Sequence, residues 1–162
     1  MPIDFYYTPL SPPCKTVYMV LEELGLEHTD HDLDLRKGEH KTAQYAELNP
    51  RQKVPALRDD SLSVGESRAI ACYLCNEYGA MKNKKNLYPT DPRTRAKVDQ
   101  MLYIDVDWWE SIVSYVNVRG VFLRNEKTKV ENVGNVTDVL AACNKILSEK
   151  KYIAADHLTI AE

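Results

Sequence analysis

The stretch YYTPLSPPCKTV, residues 6–17, indicates a strand that runs through a turn into a helix. The β-branched and aromatic residues at positions 3–7 are typical of a strand, and Pro9 marks its end. From Pro13 onward the apolar residues have helical spacing, at Val17, Val20, Leu21 and Leu24. Gly25 stands where a glycine ends a helix, so a strand-turn-helix unit opens the chain.

Ser11 and Cys14 lie at this strand-to-helix junction, where a redox protein would place Cys-x-x-Cys. Residues 11–14 read Ser-x-x-Cys instead. A serine at a helix start can cap the helix or donate a hydrogen bond to a bound anion, and spacing alone does not separate these roles. Cys14 is either a nucleophile, because thiol pKa values fall at helix N-termini, or a small buried residue.

The composition is normal for a packed globular protein, with 162 residues, 44% of them hydrophobic, and a net charge of −3. This charge includes no basic excess to neutralise phosphates, so we expect no nucleic-acid partner. The sequence has neither the roughly 18 apolar residues of a membrane span nor a signal peptide at its start. We therefore expect a cytoplasmic protein, not bound to a membrane, with its four cysteines reduced.

The rest of the first half predicts two further units of secondary structure. Residues 27–35 alternate toward their end, as in a strand, and residues 40–50 read as a short helix that a proline ends. Two short runs, 54–58 and 61–64, predict a hairpin, and residues 66–78 predict a helix. The predicted order is βαβ followed by ββα.

The second half contains no strand pattern. A linker rich in Gly, Asn, Lys and Pro comes first, and we expect its lysines to be solvated. One helix is predicted from Pro92, capped by Asp91, to about residue 119, and another from about 131 to 150. The fold class is therefore α/β plus all-α, with an N-terminal domain at 1–79, a linker at 80–91 and a helical domain at 92–162.

Several separate motifs resemble those of cytosolic glutathione S-transferases, most of all the serine-using delta, theta and epsilon classes. The motifs are SPPC at 11–14, KGEH at 37–40, NPRQKVPAL at 49–57, ESRAI at 66–70, LYPTDPRTRAKVDQMLYID at 87–105 and YIAADHLTIAE at 152–162. Together they extend over nearly the whole chain. The resemblance implies a thioredoxin-like N-terminal domain that binds glutathione, followed by a helical domain that shapes the site of a second substrate.

The resemblance implies that Ser11 is catalytic, its hydroxyl stabilising the thiolate of glutathione. It also implies a cis-proline turn at Val54-Pro55, where the main chain of Val54 meets the cysteinyl part of the peptide. Glu66 and Ser67 would bind the γ-glutamyl end, where an ordinary helix start is the alternative. The remaining residues implied for glutathione are Arg68 at the γ-glutamyl end and His40, Gln52 and Lys53 at the glycyl carboxylate.

For the second substrate, a small hydrophobic electrophile, the resemblance points to the fourth helix. Val106, Trp109 and Val113 would line its pocket, and core packing is the alternative for Trp109 and its neighbour Trp108. The family also implies a homodimer formed through the third and fourth helices. We expect no metal and no organic cofactor, because glutathione itself is the co-substrate.

Gln52 and the end of the chain depart from the family pattern. Delta proteins usually have a histidine at the position of Gln52, whereas amides occur there in other serine-using classes. Thr159 and Glu162 resemble a capping box for a central helix of the C-terminal domain, and the sequence ends there. Family members usually continue for several tens of residues, so we interpret the sequence as a fragment with an incomplete helical domain.

Other interpretations of the residues remain open. The group His28, Asp30, His31 and Asp32 suggests a metal site, but strand alternation places His31 on the opposite face from the others. Cys72 and Cys75 have redox spacing within a predicted helix, which favours packing. The alternative functions are a non-catalytic structural or interaction protein on the same fold, and thiol transfer through Cys14.

Overall fold

The computed structural model describes residues 3–117, 120–121, 124–127 and 133–162. The chain divides into two compact units, Met1–Tyr88 and Pro89–Glu162. The first unit contains a sheet and helices, and the regular elements described in the second are helices. An α/β unit followed by an all-α unit is the predicted fold class.

The sheet of the first unit has four strands within the described residues: β1 (Ile3–Tyr7), β2 (His28–Asp32), β3 (Ala56–Asp59) and β4 (Leu62–Gly65). Their spatial order is β2-β1-β3-β4. β1 pairs with β2 in parallel and with β3 antiparallel, and β3 pairs antiparallel with β4. This is the predicted thioredoxin-like arrangement, a βαβ unit joined to a ββα unit.

Three α-helices connect and follow these strands: α1 (Pro12–Leu24), α2 (Ala43–Leu48) and α3 (Ser67–Tyr78). α1 ends at Gly25, whose φ of 59° is left-handed and whose N–H bonds the carbonyl of Glu22. α2 begins after Thr42, whose side chain accepts a hydrogen bond from the N–H of Tyr45. Local capping therefore sets these helix ends.

The two faces of the sheet carry different layers. On one face Phe5 lies opposite Leu57 on β3, and α1 and α3 pack together there. On the other face Ala56 forms a cluster with Tyr45 and Leu48 of α2. Among the described residues, the largest fully buried side chains of this unit are Phe5, Leu21, Leu57, Ile70, Leu74, Val17 and Cys14. Burying side chains of this size stabilises by about 1.5–3 kcal/mol each, which makes the α1–sheet–α3 layer the main core of the unit.

Several predicted boundaries differ from the observed ones. β2 is shorter than the predicted 27–35, because Leu33 packs against the α2 cluster and Asp34 caps a turn by accepting the N–H of Arg36 at 2.9 Å. β3 begins at Ala56 rather than at Val54, since proline has no N–H to offer a strand ladder. A short 3₁₀ helix, Glu39–Lys41, precedes α2.

The linker lysines stay at the surface, as expected, with Lys82 and Lys85 exposed, but two of the lysines also contact the end of α1. The Nζ of Lys82 donates to the carbonyl of Gly25 at 2.8 Å, and Lys84 pairs with Glu23. Leu87, in a 3₁₀ turn, is buried. The segment after α3 is therefore fastened to the end of α1, and the first unit extends to Tyr88.

The second unit contains α4 (Pro92–Val116) and α5 (Val133–Glu149), which pack against each other. Asp91 caps α4 by accepting the N–H of Thr94 at 2.8 Å, as the sequence predicts. α4 ends at Val116, because Asn117 adopts a left-handed backbone with a φ of 52°. Residues 119 and 131, where the sequence predicts the end of this helix and the start of the next, lie outside the described residues. None of the described helices is both long and apolar enough to cross a lipid bilayer.

The predicted capping box at the end of the chain is formed only in part. The Thr159 hydroxyl accepts the N–H of Ala161 at 3.3 Å, as a cap does. The Glu162 carboxylate accepts the N–H of Ile153 at 3.0 Å, whereas a capping box would direct it to the N–H of Thr159. This carboxylate therefore ties the end of the chain to the segment after α5.

Candidate functional site

Ser11 occupies the N-cap position of α1, immediately after the turn that leaves β1. Its backbone is extended, with φ −89° and ψ 114°, and its N–H bonds the carbonyl of Thr8 at 3.1 Å. The side chain makes no capping hydrogen bond. The hydroxyl is half-buried at the positive end of the helix dipole, so it remains available to a ligand.

Cys14 lies one turn further along α1 and is only 1% exposed. Burial raises the pKa of its thiol, and hydrogen bonds with the Ser11 side chain and the Thr8 backbone oppose this effect. The thiol is therefore neutral at pH 7 and covered by protein. Both properties argue against a nucleophilic role, since the thiolate is the reactive form.

The turn at residues 49–53 is organised by the buried side chain of Asn49. Its Nδ2 donates to the carbonyl of Lys53 at 2.8 Å, and its Oδ1 accepts the N–H of Arg51 at 3.1 Å. The same side chain packs on Gly65, where an added Cβ would lie 3.0 Å from Nδ2. Asn49 therefore joins the turn to the end of β4. Nothing in the sequence beyond its place in the motif NPRQKVPAL points to Asn49.

Val54 and Pro55 follow this turn, and the peptide bond between them is cis, as the resemblance implies. Val54 precedes β3 and packs against the α2 cluster. The carbonyl of Lys53 is held by the Tyr45 hydroxyl at 2.8 Å as well as by Asn49. The main chain before β3 is thus fixed from several sides.

Glu66 and Ser67 stand at the start of α3, directly after β4. Glu66 has a φ of +67°, which is rare for a residue with a side chain. Ser67 is only 4% exposed, and the Nη1 of Arg68 lies 3.4 Å from its hydroxyl. A carboxylate, a hydroxyl and a guanidinium therefore meet at a helix N-terminus, where the unpaired N–H groups favour an anion.

Arg51 is a charged partner of this group that the sequence analysis missed. Its Nη1 bonds the Oε1 of Glu66, 15 residues further along the chain. The only sequence signal is that Arg51 and Glu66 lie within the two motifs NPRQKVPAL and ESRAI. The contact depends on the turn at 49–53 lying beside the β4–α3 junction.

His40 lies in the short 3₁₀ helix that follows Gly38, whose φ of 76° favours glycine. Burial lowers the pKa of His40, and the charge of Lys41 acts in the same direction, so the imidazole is neutral at pH 7. Its Nδ1 is buried without a partner among the described residues. Lys41 donates to the carbonyl of Gln52 at 3.1 Å, which brings this segment to the turn at 49–53.

The suggested metal ligands on β2 do not form a common site. The Nε2 of His31 bonds Asp4 at 2.9 Å, and its ring stacks on Tyr6 with 4.3 Å between centroids. The Nε2 of His28 lies 3.5 Å from Asp30. Among the described residues, no three or more His, Cys, Asp or Glu side chains are placed to hold a metal ion.

Cys72 and Cys75 lie within α3, as predicted, away from a strand-to-helix turn. Cys75 is buried, and burial raises its pKa to about 12. A thiol with so high a pKa is not a redox nucleophile, so Cys75 contributes to packing.

Val106, Trp109 and Val113 recur at helical spacing along α4 in the second unit. Trp109 and Val113 are half-buried, and Val106 is exposed. A groove of about 280 Å³ lies elsewhere on this helix, between Lys97–Ile104 of α4 and the end of α5. That the three predicted residues line a substrate pocket stays a prediction.

Comparison with known proteins places the chain in a family. The family model described as "Glutathione S-transferase, N-terminal domain" matches residues 5–84. A glutathione transferase from Bombyx mori is 32% identical, with a TM-score of 0.91 over 99% of this chain and 73% of that one. The chain belongs to the glutathione S-transferase family.

Other glutathione transferases are similarly close. A delta-class enzyme from Nilaparvata lugens is 34% identical, with a TM-score of 0.90 over 99% of this chain and 73% of that chain. An epsilon-class enzyme from the housefly, Musca domestica, is 30% identical, with a TM-score of 0.88 over 98% of this chain and 72% of that chain. The protein is an enzyme of the transferase type, as its relatives are, and those solved chains are longer than this one.

Proposed function

We propose that this glutathione S-transferase conjugates reduced glutathione to small hydrophobic electrophiles, with the Ser11 hydroxyl stabilising the glutathione thiolate. One observation carries the proposal. The Ser11 hydroxyl stands at the N-terminus of α1 without capping it. A serine at this position would otherwise be explained as a helix cap.

The chemistry requires the ionised sulfur. The thiol of glutathione has an unperturbed pKa of about 8.5, so only a few per cent is thiolate at pH 7. A hydrogen bond from Ser11 and the field of α1 both favour the anion. Lowering the pKa by about two units requires roughly 2.7 kcal/mol, which these two effects supply. The thiolate then attacks the electrophilic carbon, a C–S bond forms, and the leaving group departs with its electron pair.

The remainder of glutathione is a peptide with two carboxylates and one ammonium. The main chain of Val54, before Pro55, binds the cysteinyl part. Glu66 pairs with the ammonium, while Ser67 and Arg68 bind the γ-glutamyl carboxylate at the start of α3. The neutral imidazole of His40, with Gln52 and Lys53, binds the glycyl carboxylate.

The electrophile binds against α4, where Val106, Trp109 and Val113 offer apolar surface. Because glutathione is itself the nucleophile, the reaction uses no metal and no organic cofactor. The enzyme acts in the cytoplasm as a homodimer formed through α3 and α4.

Substitution of Ser11 tests the proposal. We expect Ser11→Ala to lower kcat/KM with an aromatic halide about 10- to 100-fold near pH 7, because the bound thiol then ionises close to its free pKa. The deficit shrinks as the pH rises above about 8.5, where glutathione ionises unaided. The ultraviolet absorbance of the bound thiolate measures the same ionisation directly.

Ser61→Ala, at an exposed serine in the β3–β4 turn, is the matched control and should retain full activity. If Ser11→Ala retains both its activity and the absorbance of bound thiolate, Ser11 does not have the proposed role. If the unaltered protein conjugates no glutathione, the proposed function itself is wrong.

A further inference from the structure

We propose that Arg51 is a specificity-determining residue that binds the α-carboxylate of the γ-glutamyl group, while its partner Glu66 binds the adjacent ammonium. This inference rests on the proposed function and names a residue beyond the set used there. It starts from the contact between the Nη1 of Arg51 and the Oε1 of Glu66.

The Arg51–Glu66 pair is open to a ligand. Their side chains are 59% and 56% exposed. A guanidinium has five N–H donors and a carboxylate has two oxygens, so a single contact leaves both groups with further bonding capacity. The pair can therefore accept a ligand without breaking.

The position of Arg51 is determined by the fold. Its N–H bonds the Oδ1 of Asn49 at 3.1 Å, and Asn49 packs on Gly65, the residue before Glu66. The two partners are consequently held by one buried amide. Exposed ion pairs on mobile side chains contribute little, whereas a pair held by its backbone loses less freedom on binding.

The chemistry of the pair matches the head of an amino acid. Such a head carries a carboxylate and an ammonium on the same carbon, so its site needs a cation and an anion side by side. Arg51 and Glu66 provide this arrangement, and the planar fork of arginine suits a carboxylate. Ser67 and the N-terminus of α3 lie next to Glu66 and add donors for the same carboxylate.

Two ligands test whether Arg51 binds the α-carboxylate. One is glutathione, and the other is γ-aminobutyryl-cysteinylglycine, the same peptide without the γ-glutamyl α-carboxylate. Binding of each is measured by calorimetry at constant ionic strength. We expect Arg51→Gln to weaken glutathione binding about fivefold and to leave binding of the decarboxylated peptide unchanged. The affinity of Arg51→Lys for glutathione should lie between those of the unaltered protein and Arg51→Gln, because lysine keeps the charge but not the planar fork of arginine.

Arg93→Gln removes the same charge from an exposed position on α4 and is the matched control. If Arg51→Gln weakens the binding of both ligands equally, Arg51 acts only through Glu66 and the inference is wrong. If it weakens the binding of neither ligand, Arg51 has no role in binding and the inference is also wrong. The proposed function fails in a different way: the unaltered protein then binds no glutathione.

Discussion

Two residues one helical turn apart in α1 have very different exposure, and this decides which of them can meet a substrate. The Ser11 hydroxyl is half-buried at the helix start, while the Cys14 thiol is 1% exposed. The same first turn therefore holds a polar group that reaches the surface and a sulfur that fills the core.

Cys14 should be inert in the native protein. Incubation with oxidised glutathione at pH 7.5 is expected to leave Cys14 unmodified, because burial both covers the thiol and raises its pKa. Intact-mass analysis followed by peptide mapping measures this. In denaturing urea all four cysteines should form the mixed disulfide, which is the control. A glutathione adduct on Cys14 in the native protein would contradict this prediction and support thiol transfer through Cys14.

At the scale of elements, one carboxylate of the hairpin adds two hydrogen bonds to the packing of α3. The Oδ2 of Asp59, at the end of β3, accepts the Tyr73 hydroxyl at 2.8 Å and also the hydroxyl of Tyr78. Burial raises the pKa of both tyrosines, and the hydrogen bond to Asp59 adds to the effect; the pKa of Tyr78 becomes about 12. These contacts hold the helix whose other end carries Glu66 and Ser67.

We expect Tyr78→Phe to lower the free energy of unfolding by about 1 kcal/mol at pH 8. The pKa of Tyr78 is about 12 in the folded protein and about 10 in the unfolded chain, so the unfolded chain loses the phenol proton first. The stabilisation by Tyr78 is therefore complete below pH 10 and is lost as the pH rises toward 12. Urea unfolding followed by circular dichroism across that range measures the difference between the two proteins. Tyr103→Phe, at a 77% exposed tyrosine, should change nothing. A difference that stays constant up to pH 12 would contradict the role given to the Asp59 contact.

At the scale of the molecule, α4 presents apolar side chains that its own unit leaves exposed. Tyr103 is 77% exposed and Val106 is 48% exposed, on a helix of 25 residues. Exposed apolar side chains three residues apart on a helix are surface that a partner can cover. The proposed homodimer would cover Tyr103, while Val106 belongs to the proposed electrophile site.

Sedimentation of the full chain should therefore give twice the mass of one chain at micromolar concentration. Tyr103→Glu is expected to shift the equilibrium toward the monomer, because a charge would be buried without a partner. Ser61→Ala, on the β3–β4 turn of the other unit, should sediment like the unaltered protein. A monomer at every concentration would contradict the dimer.

Much of the fold could be predicted because its signals are local. β1 is observed as predicted, at Ile3–Tyr7, and α1 ends at the predicted glycine. Asp91 caps α4 where the sequence places a cap. Each of these depends on residues within a few positions of one another, whose spacing and turn chemistry are visible in the sequence.

The candidate site was predicted less completely, because its parts meet over longer separations. The motifs name Ser11, the Val54-Pro55 turn and Glu66 with Ser67. They do not reveal that Arg51 reaches Glu66, or that Lys82 bonds Gly25, 57 residues away. Such contacts depend on sheet register and on how a turn packs against a neighbouring strand, as Asn49 does on Gly65.

By itself, then, the sequence determined the strand-turn-helix start, the α/β-then-helical order and the serine at the junction, since hydrophobic period and capping act along the chain. Only the tertiary structure decided that the serine hydroxyl is left uncapped, that Cys14 is buried and that Arg51 joins Glu66. The reason is that side-chain exposure and charge pairing depend on which distant segments pack side by side, and a local sequence pattern carries no information about that packing.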